Sequence, residues 1–378
     1  MAFHTQQNKN GVDIFSNVRI RDGHDNFFTP VRLLFALMVL VGHAFGIVER
    51  TLLAEPNLFF DYKPSYLAVN LFFIASGFLV TKSMLYREDL VEYGAARSLR
   101  ILPALVVHVL FVMFAIGPFV TNLPLNEFFA NPQFWSQPFQ VLSFYQTDMV
   151  MPGTFATNAD TCGSGALWTL RYEVLAYLGT AILFALGLLK HKWLLIMQFV
   201  VFALVWPIAN LPGIFNDQIP SSLLSVLRFG LAYGLGAAIY ALQDKLSFHV
   251  VGIVILGIVA SLLQGTVLAE VFVTLWLGYI VFWMAYVDIP KLNGLKKLSD
   301  TSYGIYIYHW VILQTAIYFM PSLNVWQLMA IALPITTILA YASWHLVEKP
   351  ILKKKVSLSK AIKSKLFGNQ QETVPPTE

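Results

Sequence analysis

The 378-residue chain is 57% hydrophobic, carries only 12% charged residues and has a mean hydropathy of +0.64, whereas soluble domains average about 25% charged. That composition excludes a water-soluble domain and makes lipid the solvent for most of the chain. A single cysteine, Cys162, excludes an internal disulfide and a cysteine-based metal cluster; no histidine pair has metal-ligand spacing on one helix, so neither redox nor zinc chemistry is expected.

Residues 1–27 are polar and lack an apolar core bounded by a cleavage site, which predicts a cytoplasmic tail followed by a retained first helix. Apolar stretches of roughly the 17–25 residues needed to cross a bilayer fall near 28–48, 65–84, 99–120, 167–189, 193–211, 222–242, 249–265, 267–287, 301–319 and 325–346. The expected fold is therefore an all-α integral membrane protein of about ten transmembrane helices. With the N-terminus inside, 20 of the 25 Lys and Arg residues fall on the cytoplasmic side. Arg50 and Lys63 alone lie outside, and Arg32, Arg171 and Arg228 lie within spans. This bias predicts that both termini are cytoplasmic. The net charge of +4 adds little to it, and no nucleic-acid partner is expected.

One outer connection, 121–166, has no Lys or Arg but many aromatics, among them Phe128, Phe129, Phe134, Trp135, Phe139, Phe144, Tyr145 and Phe155. A loop of that length is functional or disordered, and its aromatic content argues against disorder. It reads as a lid or acceptor platform, or as an interfacial segment whose rings rest at headgroup level. Residues 351–378 read as a basic, solvated and mobile tail.

Ionisable groups inside a span are costly and mark function by default. In VRLLFALMVLVGHAFG, Arg32 and His43 are eleven residues apart, so they return to within roughly 20° on one helical face and stand roughly 16 Å apart along the axis. One channel would hold both. Read alone, Arg32 also suits snorkelling to the interface, and His43 suits a hydrogen-bonded packing histidine. Glu173, in WTLRYEVLAYL, reaches a depth close to that of His43 when both are measured by helical rise. A carboxylate there would orient an imidazole that acts as general base; against this, Arg171, two residues away, suits a bond to the neighbours of Glu173 or an unrelated ion pair. VNLFFIASGFLVTK adds Asn70 and Ser76, with Gly77 permitting close helix approach. SYGIYIYHW brings Tyr303, Tyr306 and His309 toward mid-membrane, and His108 and His345 read as structural. Lys82, Arg97 and Arg100 share the compartment of Arg32 and suit a phosphate-rich ligand, although by charge count alone they are the ordinary positive-inside signal.

Together these motifs resemble the acyltransferase 3 family of integral membrane O-acyltransferases over about residues 28–350. Arg32 and His43 match its arginine, ten residues, histidine signature. NLFFIASGFL, ARSLRILPAL with Arg97, Arg100 and Pro103, WTLRYEVLAYL from Trp168 to Glu173, SYGIYIYHW and HLVEKP resemble its further landmarks in order. The resemblance implies an acetyl-CoA or other acyl-CoA donor with its nucleotide on the cytoplasmic side, no metal, and a hydroxyl of a bacterial glycan as acceptor. It implies His43 as catalytic base with Glu173, and donor contacts from Arg32, Arg97, Arg100, Tyr303 and His309. Acceptor contacts are expected from Asn70, Ser76, Trp168 and Arg171, with Glu348 in support. Arg171-Tyr172 and a lone carboxylate depart from the family's pattern around Glu173. The implied location is a bacterial inner membrane. The rival reading from the residues is a transporter that exports a small metabolite along an Arg32, His43 and Glu173 path.

Overall fold

The computed structural model describes residues 17–21, 23, 25–51, 54–215 and 218–367. Among these, α1 (Phe28–Val48), α2 (Pro64–Arg87) and α3 (Leu90–Val120) follow one another with short connections. Pro64 at the first turn of α2 supplies a fixed φ where no N–H is needed. Glu88 in the left-handed conformation then turns the chain tightly into α3, whose cap Asp89 accepts from Glu92 N. α4 (Leu125–Ala130) and α5 (Pro132–Leu142) belong to the 121–166 segment. The remaining helices are α6 (Leu170–Ala185), α7 (Lys192–Ala209), α8 (Ser221–Leu242), α9 (Val250–Leu262), α10 (Ala269–Tyr286), α11 (Ser302–Phe319), α12 (Val325–Leu352) and α13 (Lys355–Phe367).

Seven helices among the described residues, α1, α2, α3, α7, α8, α10 and α12, are long and apolar enough to cross a bilayer. The protein is an all-α membrane protein. The other three expected spans are also helical, yet each differs for a physical reason. α9 has 13 residues, about 20 Å of rise against a hydrocarbon core of about 30 Å. α6 has 16 residues. α11 has 18, but its tyrosines, His309 and Gln314 face other helices or the 121–166 segment, and nearly all its residues are buried.

Boundaries move at two places that matter. The third helix begins at Leu90 and not near 99, so Arg97, expected before the span, sits on the helix together with Arg100. The last long helix runs past 346 through a π-helical turn at Trp344–Glu348. The expected solvated tail from 351 also differs: Lys355–Phe367 form α13, which Lys363 ties by an ion pair to Asp89 at the start of α3. Residues 368–378, and the N-terminal tail as far as 16, lie outside the described residues.

Close backbone approach holds the centre together. A Cβ on Gly77 of α2 would stand 2.0 Å from the carbonyl oxygen of Tyr233, and one on Gly236 of α8 would stand 2.1 Å from that of Ile74. The two glycines therefore set the α2–α8 crossing reciprocally, as small residues do between membrane helices. A two-stranded ribbon, β1 (Val18–Arg19) against β2 (Ser247–Phe248), straps the N-terminal segment to the α8–α9 connection. The 121–166 segment is folded: Phe128, Phe134 and Phe155 are fully buried, and Phe128, Phe129, Phe134 and Trp135 pack as an edge-to-face cluster. The Thr121–Thr154 bridge closes its first part.

Candidate active site

A cavity of about 780 Å³ opens among α1, α2, α3, α6, α11 and α12. Its size is in the ~300–1,000 Å³ range of small-molecule sites. Six expected site residues line it: Arg32, Ser76, Arg97, Arg100, Glu173 and Tyr303. The walls between them are apolar, with Val69, Phe72, Leu79 and Ile101.

The Arg32 end of this cavity is built around an acid absent from the sequence expectations. Arg32 and Arg100 each place a guanidinium nitrogen 2.7 Å from Asp300 Oδ2, and Ser302 donates to Asp300 Oδ1 at 2.7 Å. Burial would raise the Asp300 carboxyl, but Arg100 and then Arg32 outweigh it and hold it well below the ordinary carboxylate range. Arg100 also reaches Glu348 at 3.4 Å, and its guanidinium lies over the rings of Trp344 and Tyr303 at 5.6 and 5.9 Å. The π-helical turn explains this pairing, because the extra residue per turn re-aims Trp344 and Glu348 at α3. In the sequence, Asp300 is one acid beside Lys296 and Lys297, a visible exception to a basic loop.

Arg97 differs from these two. It stacks over Tyr177 at 5.6 Å, donates to Ser83 Oγ at 3.3 Å, and makes no carboxylate pair among the described residues. Its Nε is buried without a hydrogen-bond partner. Arg87 and Lys355 complete this basic rim. An orphaned guanidinium donor beside two further cations fits a phosphate group.

His43 lies beyond the other end. His43 Nδ1 and His309 Nε2 are 2.8 Å apart, and the rings stack with centroids 5.1 Å apart. His309 Nδ1 is 3.1 Å from the carbonyl oxygen of Ile305, one turn earlier on α11. Tyr306, which lines the cavity, packs its ring against His309; its hydroxyl donates to Ala166 O at 2.7 Å. Neither histidine is among the residues that line the cavity, and Tyr306 links the cavity to the pair.

The expected orientation of His43 by Glu173 is corrected by these contacts. Glu173 accepts from the Tyr177 hydroxyl one turn along α6, whereas the partner of His43 is His309. Similar depth did not imply a shared face. Three other expected residues also stand apart from the cavity. Asn70 donates to Glu270 at 2.9 Å in a cluster that includes Tyr66, whose ring lies 3.9 Å from the Arg228 guanidinium. Trp168 packs on Tyr172 and Phe229. Arg171 has a buried Nε with no hydrogen-bond partner and interacts electrostatically with Asp148. His108 bonds Ser164 at 2.7 Å within the core. Among the described residues no group of three or more His, Cys, Asp or Glu is placed to hold a metal ion.

Known proteins now bear on this geometry. The model of the acyltransferase domain of the acyltransferase 3 family matches residues 26–345, from just before α1 to the start of the π-helical turn of α12. The chain belongs to the acyltransferase 3 family. It is thus an acyltransferase. Across 341 residues it is 28% identical to an O-acetyl transferase of Shigella phage Sf6, covering 87% of this chain and 96% of that one. Nodulation protein 10 of Rhizobium leguminosarum bv. viciae is 27% identical over 363 residues, 89% of this chain and 95% of the relative. No solved structure matches.

Proposed function

We propose that this acyltransferase is an O-acetyltransferase that moves an acetyl group from a cytoplasmic acyl-CoA to a glycan hydroxyl at the outer face of a bacterial inner membrane. The observation that carries the proposal is the 780 Å³ cavity with its basic, phosphate-suited rim, linked through Tyr306 to the His43–His309 pair. The name of the phage relative supports the acetyl group and the oxygen acceptor. The inside-positive loops support a cytoplasmic Arg32 end and about ten crossings with both termini inside.

Acyl-CoA is the donor substrate. Arg97, Arg87 and Lys355 would meet its phosphates, Arg32 and Arg100 would complete the rim, and the apolar walls suit its thin arm. Asp300 would hold Arg32 and Arg100 in place before the donor arrives, so little ordering remains to be done on binding.

The pair contacts support a role for His43 as general base. A carbonyl only accepts, so the Ile305 contact places a proton on His309 Nδ1 and leaves its Nε2 to accept from His43 Nδ1. His43 Nε2 is left with its lone pair. It takes the acceptor hydroxyl proton as the oxygen attacks the thioester carbonyl, and returns that proton to the departing CoA sulfur as the tetrahedral adduct collapses. His309 becomes a positioning residue in place of a donor contact.

Acetyl-CoA titrated into purified protein tests the donor side. Arg97→Ala should weaken binding about tenfold or more, consistent with a lost charge-assisted contact, while His43→Ala should bind as wild type. Unchanged affinity in Arg97→Ala, or its loss in His43→Ala, would contradict the assignment.

A further inference from the structure

A second, smaller pocket of about 210 Å³ lies on the opposite side of the histidine pair from the donor cavity. Gly46 and Ile47 line it from α1, three and four residues beyond His43 and so on the same face of the helix, and Arg50 lines it from the turn just past the helix end. Trp310 and Gln314 line it from α11, and Asp160 from the end of the 121–166 segment. Trp310 forms the link to the chemistry, because its ring meets that of His43 edge-on at 5.0 Å.

The pocket is constructed in depth. Trp310 Nε1 donates to Cys162 O at 2.9 Å, and Gly165 lies so close that a Cβ there would stand 2.6 Å from the indole. Gln314 donates to Asp160 O at 3.0 Å and accepts from Asn158 at 2.7 Å, which fastens the loop to α11. The volume is below that of drug-sized sites, about 300 Å³ and above, but about seven times the ~30 Å³ of a water molecule. The indole of Trp310, itself only 3% exposed, lies beside an exposed carboxylate and an exposed guanidinium, and such a lining suits a compact ring with several hydroxyls.

We propose that this pocket is the acceptor subsite and takes a single sugar ring, packed on Trp310, bonded by Asp160 and Arg50, with one hydroxyl directed past Gly46 to His43. The proposal rests on the acetyl-transfer reading above. The 157–166 stretch then has a definite role as the wall that closes the subsite against α11.

The test uses full-length protein in lipid nanodiscs with acetyl-CoA and, separately, the methyl glycosides of glucose, galactose, N-acetylglucosamine and rhamnose. CoA release and glycoside acetylation are followed together. At least one glycoside should accelerate CoA release saturably in wild type. Arg50→Ala and Asp160→Asn should raise the KM for that glycoside about tenfold with the KM for acetyl-CoA unchanged. Gly46→Leu, which fills the pocket, should abolish glycoside acetylation while acetyl-CoA binding persists. Unchanged glycoside KM in both rim variants would overturn the subsite. So would acetyl-CoA turnover that no glycoside accelerates, although the transfer reading itself would stand. Absence of both acetyl-CoA binding and turnover in wild type would overturn that reading and this subsite with it.

Discussion

His43 Nδ1 stands 2.8 Å from His309 Nε2, and His309 Nδ1 stands 3.1 Å from the Ile305 carbonyl oxygen, an acceptor that favours a proton on that nitrogen. The contact joins α1 to α11, so the relative placement of two helices sets the hydrogen bonding of the proposed base. His309→Ala should lower kcat for transfer by roughly 10–100-fold, within the range lost when general-base catalysis is impaired, with the KM for acetyl-CoA unchanged. His309→Gln should recover part of that loss, because a side-chain amide oxygen can still accept from His43 Nδ1. A purely structural role for His309 would instead reduce folded yield equally in both variants.

Asp300 carries a prediction about charge and pH. Its carboxyl is held low by Arg100 and Arg32 against the effect of burial, so its folded-state pKa is below the unfolded one. The stability it contributes is therefore fully present above the ordinary carboxylate range and is lost only as pH falls through its depressed value. Thermal unfolding in detergent should show no Asp300-dependent change between neutral pH and about pH 5. Asp300→Asn should lower stability by about 2–3 kcal/mol, somewhat less than the ~3–5 of a wholly buried pair because the side chain is 21% exposed. It should also raise the KM for acetyl-CoA, since both arginines lose their tether.

The α2–α8 crossing allows a purely steric test. Gly77→Ala puts a methyl where 2.0 Å separates it from Tyr233 O, so one helix must shift. A cost of about 1–3 kcal/mol follows from overpacking, read as a lower melting temperature by fluorescence-detected size exclusion. Gly179→Ala, where a Cβ would meet nothing within 4 Å, should leave the melting temperature in place.

Much of this architecture is legible in the sequence because lipid imposes a simple grammar of apolar runs and basic loops. Arg32, Ser76, Arg97, Arg100, Glu173 and Tyr303 all stand out by polarity in or beside the spans, and all line one cavity. Rotation about the helix axis is what polarity and rise do not encode. Helical rise gives Glu173 the depth of His43 but not its direction, and His309, expected at the donor, is the imidazole's actual partner. Asp300 escapes such reasoning because it precedes its helix by two residues, outside the spans where ionisable residues mark function. The π-helical turn at Trp344–Glu348 leaves no mark in the hydrophobic pattern, so the reach of Glu348 to Arg100 is visible only in three dimensions.

Cys162 offers a check on the loop wall. Its thiol is buried, donates to the Asp148 carbonyl at 2.8 Å, and is pushed well above the ordinary thiol range chiefly by burial. Intact protein at pH 8 should react with maleimide far more slowly than denatured protein, since the thiolate is the reactive form. Rapid labelling of the folded chain would mean that the 157–166 stretch does not lie against α11.

The most direct measurement is transfer of labelled acetyl from acetyl-CoA, supplied at the cytoplasmic face of membrane vesicles, into glycan and lipid fractions by wild type and His43→Ala. Label is expected in the wild-type glycan fraction and none with His43→Ala, at equal amounts of folded protein and equal acetyl-CoA binding. Equal labelling by the two proteins would contradict the assignment of His43 as the base.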